Sequence, residues 1–408
     1  MASRLSRRFT WLIVALLLVQ SSGVALGHHG GRPISSFLGC NRPGIVPPRC
    51  TSVANDLRHS VYFDNTLTDV LAGALRRSLA DDYDPTDLVA FERTELSADT
   101  DVIAYSQDYG DNGAAAWVYC PSDAPQGTNA DRDRWCRMQE MHFNLNPRYT
   151  AFLGDDGSRD HVACHELGHT VGLLHWGNPP SSDGPTGATC MNADTPNGPT
   201  GLHPNDVDHI NAYHYVAPPP SRRMMLVNRP QEALAAIASA GIEAVETERH
   251  ASLDEMTGSS DAVVRGTIAA VAPGRTFGDP AGAPLQYAAA TIRVDEVIAG
   301  SLATRESDVT LEIPLFDGPG SIEEMRESLP GGEGIFFLRN KGASARDAGL
   351  SWAAQRADAA YHRLVVFGAV VVDAGGIADG GDDELGVLAE LDGLPFGEAL
   401  HRVRAAAR

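Results

Sequence analysis

The stretch Cys164-His165-Glu166-Leu167-Gly168-His169-Thr170-Val171-Gly172-Leu173-Leu174-His175 decides how this chain is read. His165 and His169 stand four apart, and an α-helical turn takes about 3.6 residues, so both imidazoles leave one helix face and can grip one ion. Glu166 follows the first histidine, angled away from direct ligation but within reach of water on the metal, as a general base must be. Gly172 tolerates the left-handed conformation that ends a helix, which predicts a sharp turn bringing His175 round as a third ligand. Three nitrogen ligands leave a fourth position for water, the arrangement of a catalytic rather than a structural zinc. An ordinary amphipathic helix with surface histidines would explain neither Gly172 nor His175.

This constellation, with Gly168-His169 before and Gly172-Leu173-Leu174-His175 after, resembles the metzincin clan of zinc endopeptidases and, within it, the matrixins. Two later segments are similar to the same group. Cys190-Met191-Asn192 looks like the methionine turn beneath the metal, and residues 202–213, with Asp206, Asp208, Ile210 and Tyr213, look like the closing helix. The resemblance covers about residues 56–216. It implies one catalytic zinc on His165, His169 and His175, Glu166 as the general base, Met191 as structural support, and a protein or peptide substrate. It also makes residues 114–119 the edge strand above the cleft, and it points to Asp108, Asp111 and Asn112 as a loop that could help hold calcium, although the spacing fits a solvated turn better. Pro48-Arg49-Cys50 matches three letters of the matrixin latency motif, but Thr51 stands where glycine would be, so a Cys40–Cys50 disulfide is expected instead.

Working outward, the catalytic half reads as a twisted mixed sheet with helices packed against it. Strands are expected at 59–63, 88–92, 102–106, 114–119 and 141–145, separated by Asp, Gly and Asn turns. A helix at 67–79 carries Leu67, Val70, Leu71, Ala74 and Leu75 at helical spacing and is broken by Asp84-Pro85. The ligand helix is expected to begin near Asp160 as N-cap. An exposed edge at 114–119 would let an extended peptide add itself as another strand, with Ala114, Ala115 and Ala116 small enough for close approach or simply filling the strand. His161 shares the ligand face, but one helical turn of about 5.4 Å takes it too far from the ion, so it is expected at the cleft rim. His142, His203, His209 and His214 read as surface or hydrogen-bonded histidines.

The chain has 408 residues, a net charge of -21 and 43% hydrophobic residues, which fits two globular domains and argues against nucleic acid and anionic membrane surfaces as partners. Arg4, Arg7 and Arg8, the apolar run 11–19 and the small residues around Ala25-Leu26-Gly27 read as a signal peptide at 1–27, hence a secreted protein with no membrane attachment after cleavage. The six cysteines all lie in the first half. An even number in an exported chain favours disulfides, and pairing each cysteine with its neighbour is the expectation, although other pairings stay open. Cys164–Cys190 would then tie the ligand helix to the methionine turn.

The domain organisation follows as an N-terminal segment at 28–55, the metzincin-like domain at 56–216, a Pro-rich linker with a short helix (231–240) at 217–245, and an accessory domain at 246–408. The last is β-rich, with short strands from 262 to 373 and a closing helix at 396–406, and is expected to be an antiparallel barrel or sandwich. Residues 263–267 and 294–300 are similar to the opening strands of netrin-type and inhibitor-type OB barrels. The fold class is therefore α+β, and the function a secreted zinc-dependent endopeptidase. The rivals are a non-proteolytic secreted binding protein on the same scaffold, and a zinc hydrolase acting on something other than peptides.

Overall fold

The structure, a computed structural model, describes residues 54–121, 124–128, 134–173, 175, 189–192, 198–212, 234, 243–248, 250–280, 283–302, 308–315, 320–366, 368–380 and 387–408. The expected signal peptide, Pro48-Arg49-Cys50, the prolines at 218–220 and the helix at 231–240, Leu234 excepted, lie outside these residues. The described chain is mixed α+β.

The first half contains β1 (Arg58–Phe63), β2 (Val89–Arg93), β3 (Val102–Gln107), β4 (Ala114–Tyr119), a small hairpin of β5 (Gln126–Thr128) and β6 (Arg134–Cys136), and β7 (Gln139–Asn144). Its helices are α1 (Asp69–Ser78), α2 (Thr150–Leu153), α3 (Asp156–Thr170) and α4 (Pro204–Ala212). With β8 (Glu243–Glu246), these strands form a six-stranded sheet in the order β2-β1-β3-β7-β4-β8. β1 runs parallel to β2 and β3, and β3 to β7, whereas β4 is antiparallel to both neighbours. α1 and α3 pack on each other, and their apolar positions Leu71, Leu75, Val162 and Leu167 share one core with Ala116, Val118, Met141 and Phe143. Burying a Leu or Val side chain contributes about 1.5–3 kcal/mol, so this layer holds the helix that carries the histidines.

The expected strands and first helix are present with shifted ends. α1 continues through a π-helical turn, Leu79–Tyr83, which buries Tyr83. α3 begins earlier than expected, at Asp156, because the Asp155 carboxylate accepts the Ser158 amide at 3.0 Å. Asp160, expected as the cap, sits within the helix and pairs with Arg77 at 2.6 Å. A larger correction concerns β4. It is not the sheet edge, because β8, which straddles the expected boundary at 245/246 between linker and accessory domain, pairs along it.

The second half comprises α5 (Leu253–Ser259), β9 (Ala262–Phe277), β10 (Leu285–Gly300), β11 (Asp308–Leu315), α6 (Gly320–Ser328), β12 (Glu333–Asn340), α7 (Lys341–Asp347), α8 (Trp352–Asp358), β13 (Tyr361–Leu364), β14 (Val370–Asp373), β15 (Ala378–Gly380) and α9 (Phe396–Ala406). Seven strands run in the order β13-β11-β10-β9-β12-β14-β15, and β13 also pairs with β12, so five of them close a ring of pairings. Against the antiparallel expectation, β13 is parallel to β11. β9 runs six residues past its expected end at 271 and β10 two residues past each end of the expected 287–298, and Phe277 and Leu285 at one end of this pair meet the first half. There Leu285 and Tyr287 share an apolar cluster with Tyr109, Ala114 and Trp117, and the Tyr287 hydroxyl donates to the Tyr109 carbonyl at 2.9 Å.

Buried charge crosses the same boundary. Asp111 pairs with Arg363 of the second half at 3.1 Å and with Arg148 at 3.3 Å, and accepts from the Tyr149 hydroxyl at 2.8 Å. Burial alone would raise the Asp111 carboxyl, yet the two arginines override it and hold the group below the usual range. Disulfides join Cys120 to Cys136 and Cys164 to Cys190, as neighbour pairing requires, while Cys40 and Cys50 lie outside the described residues. Among the described residues no helix is long and apolar enough to cross a membrane.

Removing one member of a buried ion pair strands its partner, at a cost of roughly 3–5 kcal/mol. Arg363→Ala is therefore expected to lower stability by about that amount in urea denaturation. A loss under about 1 kcal/mol would mean that Arg148 alone satisfies Asp111.

Candidate metal centre

α3 is buried from His161 to Thr170, so it is a core helix gripped on several sides. The Tyr83 hydroxyl donates to the Cys164 carbonyl at 3.0 Å. At the far end Gln139 of β7 donates to the Thr170 carbonyl at 2.9 Å, and His59 of β1 meets the Thr170 hydroxyl at 2.8 Å. Three elements thus fix the helix along its length. It ends as the sequence predicts: Gly172 takes φ 98°, and the Leu173 amide folds back to the Gly168 carbonyl at 2.9 Å.

That turn brings three rings together. His169 Nε2 lies 2.9 Å from His165 Nε2 and 3.0 Å from His175 Nε2. The other nitrogens of the two helical histidines are engaged: His165 Nδ1 lies 2.7 Å from the Cys190 carbonyl and His169 Nδ1 2.7 Å from the Leu173 carbonyl. A carbonyl oxygen can only accept, so both Nδ1 atoms carry the proton and both Nε2 atoms present a lone pair. Burial is the main cause that lowers both imidazoles well below their ordinary pKa, the neighbouring rings lower them further, and the two carbonyls oppose the shift. Both stay neutral, the form in which imidazole binds a metal.

The donor set fits zinc. Bonds of about 2.0–2.1 Å at tetrahedral angles place ligand nitrogens roughly 3.3 Å apart, a few tenths of an ångström beyond the separations seen here. Among the described residues this is the one group of three or more His, Cys, Asp or Glu side chains whose ligand atoms converge. Glu166 is fully buried on the same helix.

Below the histidines lies the methionine turn. Met191 is fully buried, and a Cβ added to Gly168 would collide with its sulfur and lie 3.3 Å from the Tyr83 hydroxyl. Gly168 is thus the gap in α3 that lets Met191 approach. The Cys164–Cys190 disulfide bonds helix to turn beside both His165 and Met191. Thr189 anchors the turn from outside, donating to Asp206 of α4 at 2.6 Å while its oxygen accepts the Met191 amide at 3.2 Å.

Some expected positions fall elsewhere. His161 does not line a rim: it is fully buried, with Nδ1 2.6 Å from the Pro199 carbonyl and Nε2 2.9 Å from the Asn192 carbonyl, and so ties α3 to the chain on either side of 193–197. The oxygens suggested for calcium are committed to hydrogen bonds and ion pairs. Asp108 accepts from Gly110 and Asn146, Asn112 accepts from Ala114 and Asn144, and Asp111 is held by its two arginines. His142 stacks against Tyr105, Trp117 and Tyr119 and bonds the Tyr109 hydroxyl at 2.9 Å, as a hydrogen-bonded histidine should. Sequence reasoning missed His59, Tyr83 and Gln139, which hold the helix across long sequence separations with no local motif to mark them, and Thr189, and it placed Asp206 only in the closing helix, not as the anchor of the turn.

Asp82 braces the same region. It accepts from the Ser78 hydroxyl at 2.7 Å and the Leu202 amide, next to Gly201, whose carbonyl accepts the Cys190 amide at 2.9 Å. Burial, aided by Asp81, pushes its carboxyl up to about 6 against the opposing Ser78 hydrogen bond.

No family model matches this chain, and no curated protein matches it. The metzincin resemblance therefore stands on the residues above and their placement.

Two outcomes are expected. Gly168→Ala forces Met191 aside and should cost about 1–3 kcal/mol of stability and weaken zinc binding in competition with a chromophoric chelator; unchanged affinity would show that Met191 does not support the histidines. For Asp82, the folded chain holds a proton that the unfolded chain releases near pH 4, so this group's contribution to stability falls as pH rises from about 4 through about 6. Asp82→Asn should therefore stabilise by about 1 kcal/mol near pH 8, after discounting for solvent, and by much less near pH 5. Equal denaturation midpoint shifts at both pH values would contradict this.

Proposed function

We propose that this chain is an exported zinc-dependent endopeptidase whose catalytic part resembles a matrixin. The observation that carries the reading is the convergence of three Nε2 atoms from His165, His169 and His175, with Glu166 buried on the same helix directly after His165. Zinc bound there would supply a Lewis acid that polarises a carbonyl and lowers the pKa of a water to about 7. The chain's own groups do the rest. The imidazoles hold the site neutral and donor-ready, since Cys190 and Leu173 fix their tautomers. Glu166 takes the proton of the attacking water and passes it to the departing amine nitrogen. Met191 keeps the floor rigid without touching the reacting atoms.

Further features support the metzincin reading. The mixed sheet carries α1 and α3 against it, the methionine turn follows the third histidine, and α4 closes the domain in the expected order. Two disulfides fit an oxidising compartment and hence export. We read the ring β9-β10-β11-β13-β12 as an OB-like barrel in an accessory role. A binding protein on the same scaffold is the second reading, and the strand covering β4 favours it; the buried carboxylate Glu166 next to His165 in the chain, of no use to a mere zinc holder, weighs against it.

The test compares purified chain, chelated chain and Glu166→Gln on a quenched peptide library. Chelation should abolish hydrolysis and added zinc restore it, and Glu166→Gln should lower kcat/KM by about 10²–10⁴-fold while elemental analysis still finds bound zinc. Hydrolysis that survives the loss of Glu166, or a zinc-loaded chain inert on every peptide both intact and with residues 243–246 displaced from β4, would overturn the proposal.

A further inference from the structure

β4 is where an extended polypeptide would pair beside the histidine helix, and in this structure that place is taken. β8 pairs antiparallel along it, with Glu246 opposite Ala114, Ala244 opposite Trp117 and Glu243 opposite Val118, the register shifting between the first two pairs. β8, like β4, lies against α3, the helix of His165 and His169. A sheet edge offers one row of amide and carbonyl groups, and a second strand cannot use that row while the first remains.

The end of β8 is secured. Thr247 reaches the Gly113 carbonyl twice, by its amide at 3.0 Å and its hydroxyl at 3.0 Å, just before β4 begins. Glu248 next to it is ion-paired with Arg339 and Arg363 of the second half, and Arg363 also holds Asp111 at 3.1 Å. The guanidinium that joins the halves therefore also pins the strand covering β4.

We infer that residues 243–246 act as a built-in occupant of the substrate strand position, so that the intact chain is self-blocked towards extended polypeptides until β8 leaves β4. This rests on the endopeptidase reading. It makes the second half a regulator: whatever loosens the grip of Arg339 and Arg363 on Glu248 opens the cleft, and a substrate must compete with a tethered segment of the same chain. Tethering keeps that segment's effective concentration high, which raises the apparent KM more than it lowers kcat.

The test uses the full zinc-loaded chain and two variants. Ala244→Pro fixes φ and removes an amide opposite Trp117 in the middle of the β4–β8 ladder, and should weaken that pairing. Thr247→Ala deletes only the hydroxyl bond to Gly113, keeps every backbone group, and decides the question if the proline variant fails to fold. Amide hydrogen exchange at residues 114–119 is read beside peptide hydrolysis. The expected result is faster exchange there with kcat/KM raised at least about tenfold in Ala244→Pro and about two- to threefold in Thr247→Ala, mainly through a lower KM. Faster exchange with flat or reduced kcat/KM, against an active unmodified chain, would overturn the inference and leave the endopeptidase reading standing. Unchanged exchange in both variants would overturn it too, by showing that β8 does not cover β4. If the zinc-loaded parent and the freed variants are all inert on peptides, the endopeptidase reading falls and this inference with it.

Discussion

Unprotonated imidazole nitrogens repel when their lone pairs point at a common centre, and two of the three near His169 are held in that state by backbone carbonyls. Cys190 and Leu173 each hold a proton on the far side of a ring and leave the near side bare. The arrangement presents those bare nitrogens to one common point, where a cation could be held. Much of the first half serves to keep the rings in place: a core helix gripped at its middle by Tyr83 and at its end by Gln139 and His59, and a disulfide bonding helix to turn. Gly168, by lacking a side chain, admits Met191 beneath.

A rigid floor leaves open what enters from above, and there the second half takes part. The two halves meet through an apolar cluster around Trp117 and Tyr287 and through buried charges centred on Asp111 and Arg363. A buried pair of this kind adds little net stability, because desolvation offsets most of the attraction, but it penalises any arrangement in which the partners separate. The boundary is therefore specific, and Arg363, which crosses it to Asp111, also pairs with Glu248 just beyond β8.

The elements that follow from local spacing were readable from the residues alone. β4 occupies residues 114–119 and α9 residues 396–406, as their patterns require, and the turn at Gly172 is left-handed as its position demands. Patterns failed where distant contacts decide. Asp160 looks like a helix cap, but Asp155 lies one turn earlier with a better-placed amide, and Arg77 claims Asp160 instead. His161 looks like a rim residue, yet its ring fills a buried gap between two carbonyls that only folding brings near.

The sequence by itself determined where the three imidazoles meet: helical period and a glycine turn bring His165, His169 and His175 together, because those constraints are local and act within eleven residues. Tertiary structure alone decided what lies along β4. Whether β4 faces solvent or a partner strand depends on a segment more than a hundred residues downstream, held by arginines farther still. No local propensity encodes such a pairing, since an alanine-rich strand is equally content at an edge or beside a neighbour, and only docking of the halves selects between them.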